Sequence, residues 1–358
     1  MGVLVLLSSG VQPRYADDIV RILALPRGGQ LQFRYDVRLL SPWVLEKLPR
    51  EGLAGAQALV CFLASSGPSS PRQIVPVRLA TVVRAELIGS SCVFTLEANF
   101  YVPPLGDLQI RNAVVARERD KLPLAPTSDP EGEGYFAFFA SLDWWSLRRE
   151  EAEAFEATAR ALAVHSPFDG EGTLFYSVHR LAKVATTSWF GTWPRPLRPS
   201  AGVYCLASRR RYQVEIYSFA PGRLGPDTHL RVESEDEFIH FVTPRSIAVD
   251  SRYDVKRIVF STDAEVLARA GGMRVYLTHG NAEAKDADVR QDIGLQFIFG
   301  GSWLLGLLRA GAIGIGTAGP AMVAANAAGK LSVGVAIVMI ALGAVAGLGA
   351  VFVSLKKP

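Results

Sequence analysis

Three glycines near the end of the chain, Gly314, Gly316 and Gly319, have the G-x-G-x-x-G spacing that can hold the phosphates of a dinucleotide. In such a site the glycines follow a strand and open a helix, and an acidic residue about 20 positions later binds the ribose. The last acidic residue of this chain is Asp292. The spacing therefore does not indicate a dinucleotide site, and we predict no cofactor.

Three consecutive arginines form the strongest basic cluster and lie between two strand-like segments: Arg209, Arg210 and Arg211. Guanidinium groups bind phosphate and carboxylate oxygens through charge-assisted hydrogen bonds. One interpretation is therefore contact with an anionic ligand or a lipid headgroup. The alternative is an ordinary solvated turn.

Three large aromatic residues, Trp189, Phe190 and Trp193, lie in the short segment SWFGTWPRP. The glycine and prolines predict a loop, in which large aromatic rings are difficult to bury. These residues are candidates for lining a binding groove or for packing between domains, and the sequence does not separate the two.

The residue types that carry catalysis or bind metals are present but scattered. None of the five histidines forms an H-x-H or H-x-x-x-H pair, and the chain has neither a G-x-S-x-G motif nor a phosphate-binding P-loop. The three cysteines, Cys61, Cys92 and Cys205, lie in apolar strand-like segments, so we expect buried free thiols. We predict no metal or catalytic site. Whether the chain is an enzyme stays open at this point, and a binding role is favoured.

The charge distribution argues against a nucleic-acid partner. The chain has 38 Lys and Arg, 34 Asp and Glu, and a net charge of +4. Four of the basic residues and none of the acidic ones lie beyond residue 292, so residues 1–292 contain 34 of each sign. A nucleic-acid binder concentrates cations on one face, and a neutral body does not favour that class.

The C-terminal segment has the composition of a membrane anchor. Leu331–Leu355 contains no charged residue and is followed by Lys356 and Lys357. About 20 apolar residues in a helix cross the hydrocarbon core. A first span is predicted ahead of it, either at 293–314 with Arg309 near one end, which we prefer, or at 310–329. The sequence thus predicts a transmembrane helical hairpin over 293–355.

Small residues recur at helical spacing inside the second span. Gly343 and Gly347 form G-x-x-x-G, and Ala346 and Ala350 form a second small-residue pair. Such faces allow close helix packing in membranes, either between the two spans or between chains of a homo-oligomer. The alternative is chance spacing in a segment rich in glycine and alanine.

Flanking charges predict the orientation of the hairpin. Lys285, Arg290, Lys356 and Lys357 would share one side of the membrane, and the cytoplasmic side carries the excess of Lys and Arg. We expect two spans, a cytoplasmic body and contact with membrane lipids.

The sequence of residues 1–290 predicts an α+β protein with two units. Residues 1–122 alternate between apolar strands and short helices, which predicts a small, mixed, mostly antiparallel, barrel-like domain. A linker rich in Pro, Gly and acidic residues is predicted at 123–134. Residues 135–290 begin with a helix and continue as short strands, which predicts a β-sandwich.

Three functions fit these features. The favoured one is a membrane-anchored cytoplasmic sensor or adaptor that binds a ligand or protein partner at the bilayer surface. The first alternative is a membrane effector whose small-residue hairpins oligomerise and permeabilise the membrane. The second is a hydrolase or transferase that acts at the membrane surface.

Overall fold

The computed structural model of this chain describes most of the body. The described residues are 2–10, 12–50, 52–65, 70–103, 105–124, 134–143, 145–149, 152–170, 173–184, 195–222, 224, 228–249, 252–263, 269–279 and 292–300. Most of these residues lie in strands that form three sheets, so the chain is a β-rich protein with few helices.

The elements follow one another along the chain with these bounds. The helices are α1 (Pro13–Ala24), α2 (Pro42–Arg50), α3 (Asp107–Ala113), α4 (Ala116–Arg119) and α5 (Ala152–Leu162), with a 3₁₀ turn at Val37–Leu39. The strands are β1 (Val3–Ser9), β2 (Gln30–Asp36), β3 (Gln57–Ala64), β4 (Gln73–Ile88), β5 (Ser91–Tyr101), β6 (Ala137–Ala140), β7 (Phe175–Val184), β8 (Arg195–Leu197), β9 (Val203–Ala207), β10 (Arg211–Phe219), β11 (Thr228–Glu233), β12 (Ile239–Phe241), β13 (Ser246–Ala248), β14 (Tyr253–Thr262), β15 (Arg269–His279) and β16 (Asp292–Gly300).

The first sheet contains six strands in the order β2-β5-β4-β3-β1-β6. β1 and β3 are parallel, and the other neighbours are antiparallel. The central strands are continuously apolar and buried on both faces, as expected for strands covered on both sides. Beyond β2 the chain returns to the opposite edge, where Leu40 pairs with Ala137 and the Phe136 amide donates to the Leu39 carbonyl at 2.7 Å. The two edges of the sheet therefore approach each other.

One strand of this sheet comes from beyond the predicted linker. β6 pairs with β1 in an antiparallel register that places Phe139 opposite Leu4. The predicted boundary at 134/135 therefore divides the first sheet. An unpaired strand edge exposes main-chain hydrogen-bonding groups. The short apolar run AFFA forms β6 and pairs with those groups of β1.

The second part of the chain builds two five-stranded sheets, β12-β14-β10-β7-β8 and β13-β11-β15-β16-β9. Aromatic side chains join them: the rings of Phe260 and Phe297 lie 6.2 Å apart. The buried hydroxyl of Tyr176 on β7 donates to the Val275 carbonyl on β15 at 3.0 Å. Two sheets in contact through apolar inner faces fit the predicted β-sandwich.

The strand β16 corrects the predicted start of the first membrane span. Residues 293–300, which we assigned to a helix at 293–314, pair with β15 and β9 instead. Their side chains alternate between buried and exposed, with Ile293, Leu295, Phe297 and Phe299 buried. This period of two is the period of a strand. Within the described ranges, no helix has the length and apolar character needed to cross a membrane, and residues 301–358 lie outside them.

A buried arginine fixes the end of α1 to the first sheet. Arg78 on β4 is 2% exposed, and its Nη1 donates to the carbonyls of Ile22 and Leu23 at 3.0 Å and also to that of Leu25. Its Nη2 donates to the Asn99 carbonyl at 3.1 Å. The last carbonyls of a helix lack partners within the helix and carry its negative partial charge. The guanidinium satisfies these carbonyls and holds α1 in place.

The cysteines differ from one another in exposure. Cys61 and Cys92 are buried, as predicted, and burial raises the pKa of both thiols, that of Cys92 to about 11. Cys205 is exposed, which corrects the prediction for that residue. It lies on β9, whose alternating pattern points Tyr204 and Leu206 inward and Cys205 outward.

Candidate functional site

A cavity of about 460 Å³ opens in the first sheet between the end of β1, α1, β2 and the segment before β6. Its size lies in the range of small-molecule sites. Its described lining residues are Leu7, Ser8, Ser9, Tyr15, Asp18, Phe33, Arg34, Tyr35, Asp36, Arg38, Leu39, Gly134 and Phe136. The lining combines aromatic rings, hydroxyls and a few charges, which is the composition of a binding site.

The loop between β1 and α1 forms one wall of the cavity. Ser8 and Ser9 end β1 and are almost completely buried. The Ser8 hydroxyl donates to the Tyr15 carbonyl at 3.0 Å, which ties the first turn of α1 to the strand. The chain then passes Pro167 so closely that a Cβ on Gly10 would lie 2.8 Å from its Cδ. Glycine is required at this close approach, and the loop position is fixed by it.

Asp18 is the most buried charged group of the lining. It is half-buried on α1, and burial raises its pKa from 3.8 to about 6, while the nearby Arg21 guanidinium opposes that shift. Burial disfavours the ionised form of a carboxyl group. At neutral pH the group is still ionised, but it is poorly solvated. It is therefore prepared to accept hydrogen bonds from a ligand.

Aromatic residues form the apolar part of the lining. Tyr35 is buried on β2, and its hydroxyl donates to the Leu7 carbonyl at 3.1 Å. Burial raises the pKa of this phenol well above 10, so it stays neutral. Phe33 on the same strand and Phe136 before β6 are also buried. These aromatic side chains supply the apolar part of the cavity wall.

The remaining charged groups of the lining are Arg34, Asp36 and Arg38. Arg34 and Arg38 are exposed. Arg38 Nε lies 3.1 Å from an oxygen of Asp36, and its main-chain amide donates to the same oxygen at 2.9 Å. These bonds hold the pKa of Asp36 below its usual value. The Arg38 charge is thus paired with a neighbouring carboxylate.

Histidine, cysteine and clustered metal ligands do not contribute to the described wall of this cavity. No histidine or cysteine is among the lining residues that the structure describes. Over the same described part of the chain, no group of three or more His, Cys, Asp or Glu could hold a metal ion.

The same helix contacts the strand that leads to the C-terminal segment. Arg21, one turn after Asp18, donates from Nη2 to Asp292 at 2.7 Å. Arg274 on β15 donates to the other oxygen of Asp292 at 2.6 Å. Burial alone would raise the pKa of Asp292, but the two arginines outweigh it and hold the pKa below its usual value. This three-residue cluster joins α1 to the beginning of β16.

The basic cluster predicted from the sequence lies away from the cavity. Arg209, Arg210 and Arg211 are exposed at the turn between β9 and β10. Arg209 has a positive φ of 54°, and its amide donates to the Asp263 carbonyl at 3.2 Å. The three side chains share a solvent-facing turn, and contact with an anionic ligand or headgroup stays a prediction.

The other predicted site residues lie outside the described residues. These are the aromatic residues Trp189, Phe190 and Trp193, the interfacial charge Arg309, and the helix-packing residues Gly343, Ala346, Gly347 and Ala350. The groove, the hairpin and its oligomerisation therefore stay predictions.

Sequence reasoning missed the cavity, although one signal was present. The pattern of a buried strand, then Ser8, Ser9 and Gly10, then a helix is typical of binding sites at the carboxyl end of a parallel strand. The contributions of Tyr35 and Phe136 depend on sheet pairing, which local sequence does not display.

Comparison with known proteins gives little further information. No protein-family model matches the chain, and no curated protein matches it. A solved structure of a Bacteroides ovatus GH5 xyloglucanase in complex with a XXXG heptasaccharide is similar over 28% of this chain and 17% of that enzyme, at 10% identity and a TM-score of 0.18. A likeness at this TM-score carries no argument about fold or function.

Proposed function

We propose that this protein is a membrane-anchored sensor. Its body binds a small ligand in the cavity beside α1, and residues beyond β16 hold the body at the cytoplasmic face of a membrane. The observation that carries the proposal is the position of α1. One turn of this helix separates Asp18, which lines the cavity, from Arg21, which bonds to Asp292 at the start of β16.

The connection to the membrane rests on chain order and composition. β16 ends at Gly300, and the predicted hairpin follows directly. With 293–300 in a sheet, the first span must begin later than residue 300, and the predicted alternative at 310–329 fits that limit. A change in α1 therefore acts on the last described strand before the hairpin.

Filling the cavity chemically tests this proposal without knowledge of the natural ligand. A Ser9→Cys variant of the full-length chain, made in a Cys205→Ala background and purified in detergent, is treated with benzyl methanethiosulfonate. The engineered thiolate displaces methanesulfinate and forms a benzyl disulfide inside the cavity. We expect amide deuterium exchange in residues 292–300 to slow by about threefold, because an occupied cavity restrains α1 and the strand bonded to it.

The matched control uses methyl methanethiosulfonate, which modifies the same thiol but leaves most of the cavity empty. It should change the exchange rate of β16 much less than the benzyl reagent does. Complete benzyl modification with no change in β16 exchange would contradict the proposed coupling.

A further inference from the structure

The charge distribution in the cavity restricts the chemistry of its ligand. Asp18 and Asp36 are the half-buried charged residues of the lining, and Asp36 is paired with the exposed Arg38, which leaves the Asp18 carboxylate as the half-buried charge without a bonded cation. An anionic group placed in the interior would lie near the Asp18 carboxylate and be repelled by it. A cationic group or an N–H donor would be attracted.

The carboxylate of Asp18 is open to a new donor. In the described part of the chain, burial and the charges of Arg21, Asp17 and Arg14 act on this group, and no hydrogen bond to it contributes. A half-buried carboxylate has lost part of its hydration, so a hydrogen-bond donor from a ligand can stabilise it. A ligand with two parallel N–H groups restores these bonds in the geometry that carboxylates prefer.

The aromatic lining restricts the shape of the ligand. Phe33, Tyr35 and Phe136 are buried residues of the cavity wall. Aromatic rings pack favourably against other flat rings in offset or edge-to-face arrangements. The hydroxyls of Ser8 and Ser9 add polar contacts at one side of the wall.

We propose that the cavity binds a planar aromatic compound whose ring carries an amidine or an amino-substituted heterocyclic edge, with its N–H groups donated to Asp18. This inference rests on the proposed function, because both use the same cavity. It adds a chemical class that the proposed function does not specify.

Three isosteric probes test the class: benzamidine, benzamide and benzoate, titrated calorimetrically into the full-length chain in detergent. Benzamidine should bind with a dissociation constant of about 0.1–1 mM, which is ordinary for a fragment of this size. Benzamide should bind at least tenfold more weakly, and benzoate should not bind. Asp18→Asn should weaken benzamidine binding at least tenfold.

The control variant is Asp17→Asn, which removes the same charge from the adjacent position outside the described lining. It should retain benzamidine binding within about twofold, and thermal unfolding should show that both variants are folded. Absence of benzamidine binding, equal binding of benzoate, or full binding by folded Asp18→Asn would overturn the ligand class. If the benzyl disulfide at position 9 still slows exchange in β16, the sensor proposal survives such a failure. If the benzyl disulfide also fails to slow exchange in β16, both proposals fail, each by its own measurement.

Discussion

Replacing Arg78 with Met is expected to lower the free energy of unfolding by about 3–5 kcal/mol, because several buried carbonyls lose their hydrogen-bond donor together. The methionine fills much of the space but leaves the carbonyls of Ile22, Leu23 and Asn99 without their donor. Each buried polar group that loses its partner costs about 1–3 kcal/mol. Burial lowers the pKa of Arg78, yet the group remains charged because arginine titrates far above neutral pH.

Thermal unfolding of the full-length chain in detergent measures this effect. A loss of this size corresponds to a fall in Tm of roughly 10 °C for a body of this length. Arg84→Met is the matched control, because Arg84 lies on the same strand but its side chain is 68% exposed and pairs with Glu86. Its Tm should stay within about 2 °C of the parent, as is usual for surface substitutions. Equal Tm values for the two variants would show that Arg78 does not hold α1 in place.

Replacing Arg21 with Met is expected to uncouple α1 from β16. The bond from Arg21 to Asp292 lies between partly buried groups, with side chains 30% and 21% exposed. Allowing for that exposure, its loss should cost about 1–1.5 kcal/mol of local stability. Amide exchange in residues 292–300 should therefore accelerate about tenfold, and the benzyl disulfide in the cavity should no longer slow it.

Arg274→Met provides the matched comparison for this variant. Arg274 bonds to the same carboxylate, but its side chain is 60% exposed and it does not lie on α1. It should accelerate exchange in β16 less than Arg21→Met does, and the response to cavity filling should persist. A response that survives Arg21→Met but is lost in Arg274→Met would contradict transmission through α1.

The strands were largely predictable because burial imposes a clear pattern on them. Continuous apolar runs are the local signal of β1 and β3, and alternation is the local signal of β2 and β5, since side chains on a strand alternate between faces. The apolar face of α1, with Ile19, Ile22 and Leu23 buried, is likewise a local signal of a helix. These are local signals, and they do not depend on which strands pair.

Failures of sequence reasoning occurred where pairing decides the outcome. The second unit is predicted to begin at residue 135, and the pairing of β6 with β1 is not visible in the local sequence. The segment that forms β16 was assigned to a membrane span because its mean apolar content is high. Side chains in this segment alternate between exposed and buried. The exposed positions are Gly294, Gln296 and Ile298, and larger apolar residues lie between them. This alternation is the signal of a strand.

The cavity could not be assembled from the sequence for the same reason. Ser9 and Asp18 are close in the chain, but Tyr35 and Phe136 reach the site through separate strands and turns. Arg21 and Asp292 are far apart in the chain and meet only because α1 contacts β16. Local sequence patterns give no information about contacts between residues that are distant in the chain.

The placement of the body at the cytoplasmic face of a membrane can be tested directly at one native thiol. Cys205 is exposed, whereas Cys61 and Cys92 are buried with raised thiol pKa values, so a maleimide should react at Cys205 first. The measurement is labelling of the full-length chain by a membrane-impermeant maleimide in sealed vesicles of known orientation, with Cys205→Ala as the control for site selectivity. We predict labelling when the cytoplasmic face points outward and protection when it points inward. Labelling only in the opposite orientation, or recovery of the chain in the soluble fraction after alkaline extraction, would contradict a cytoplasmic sensor anchored by its C-terminal hairpin.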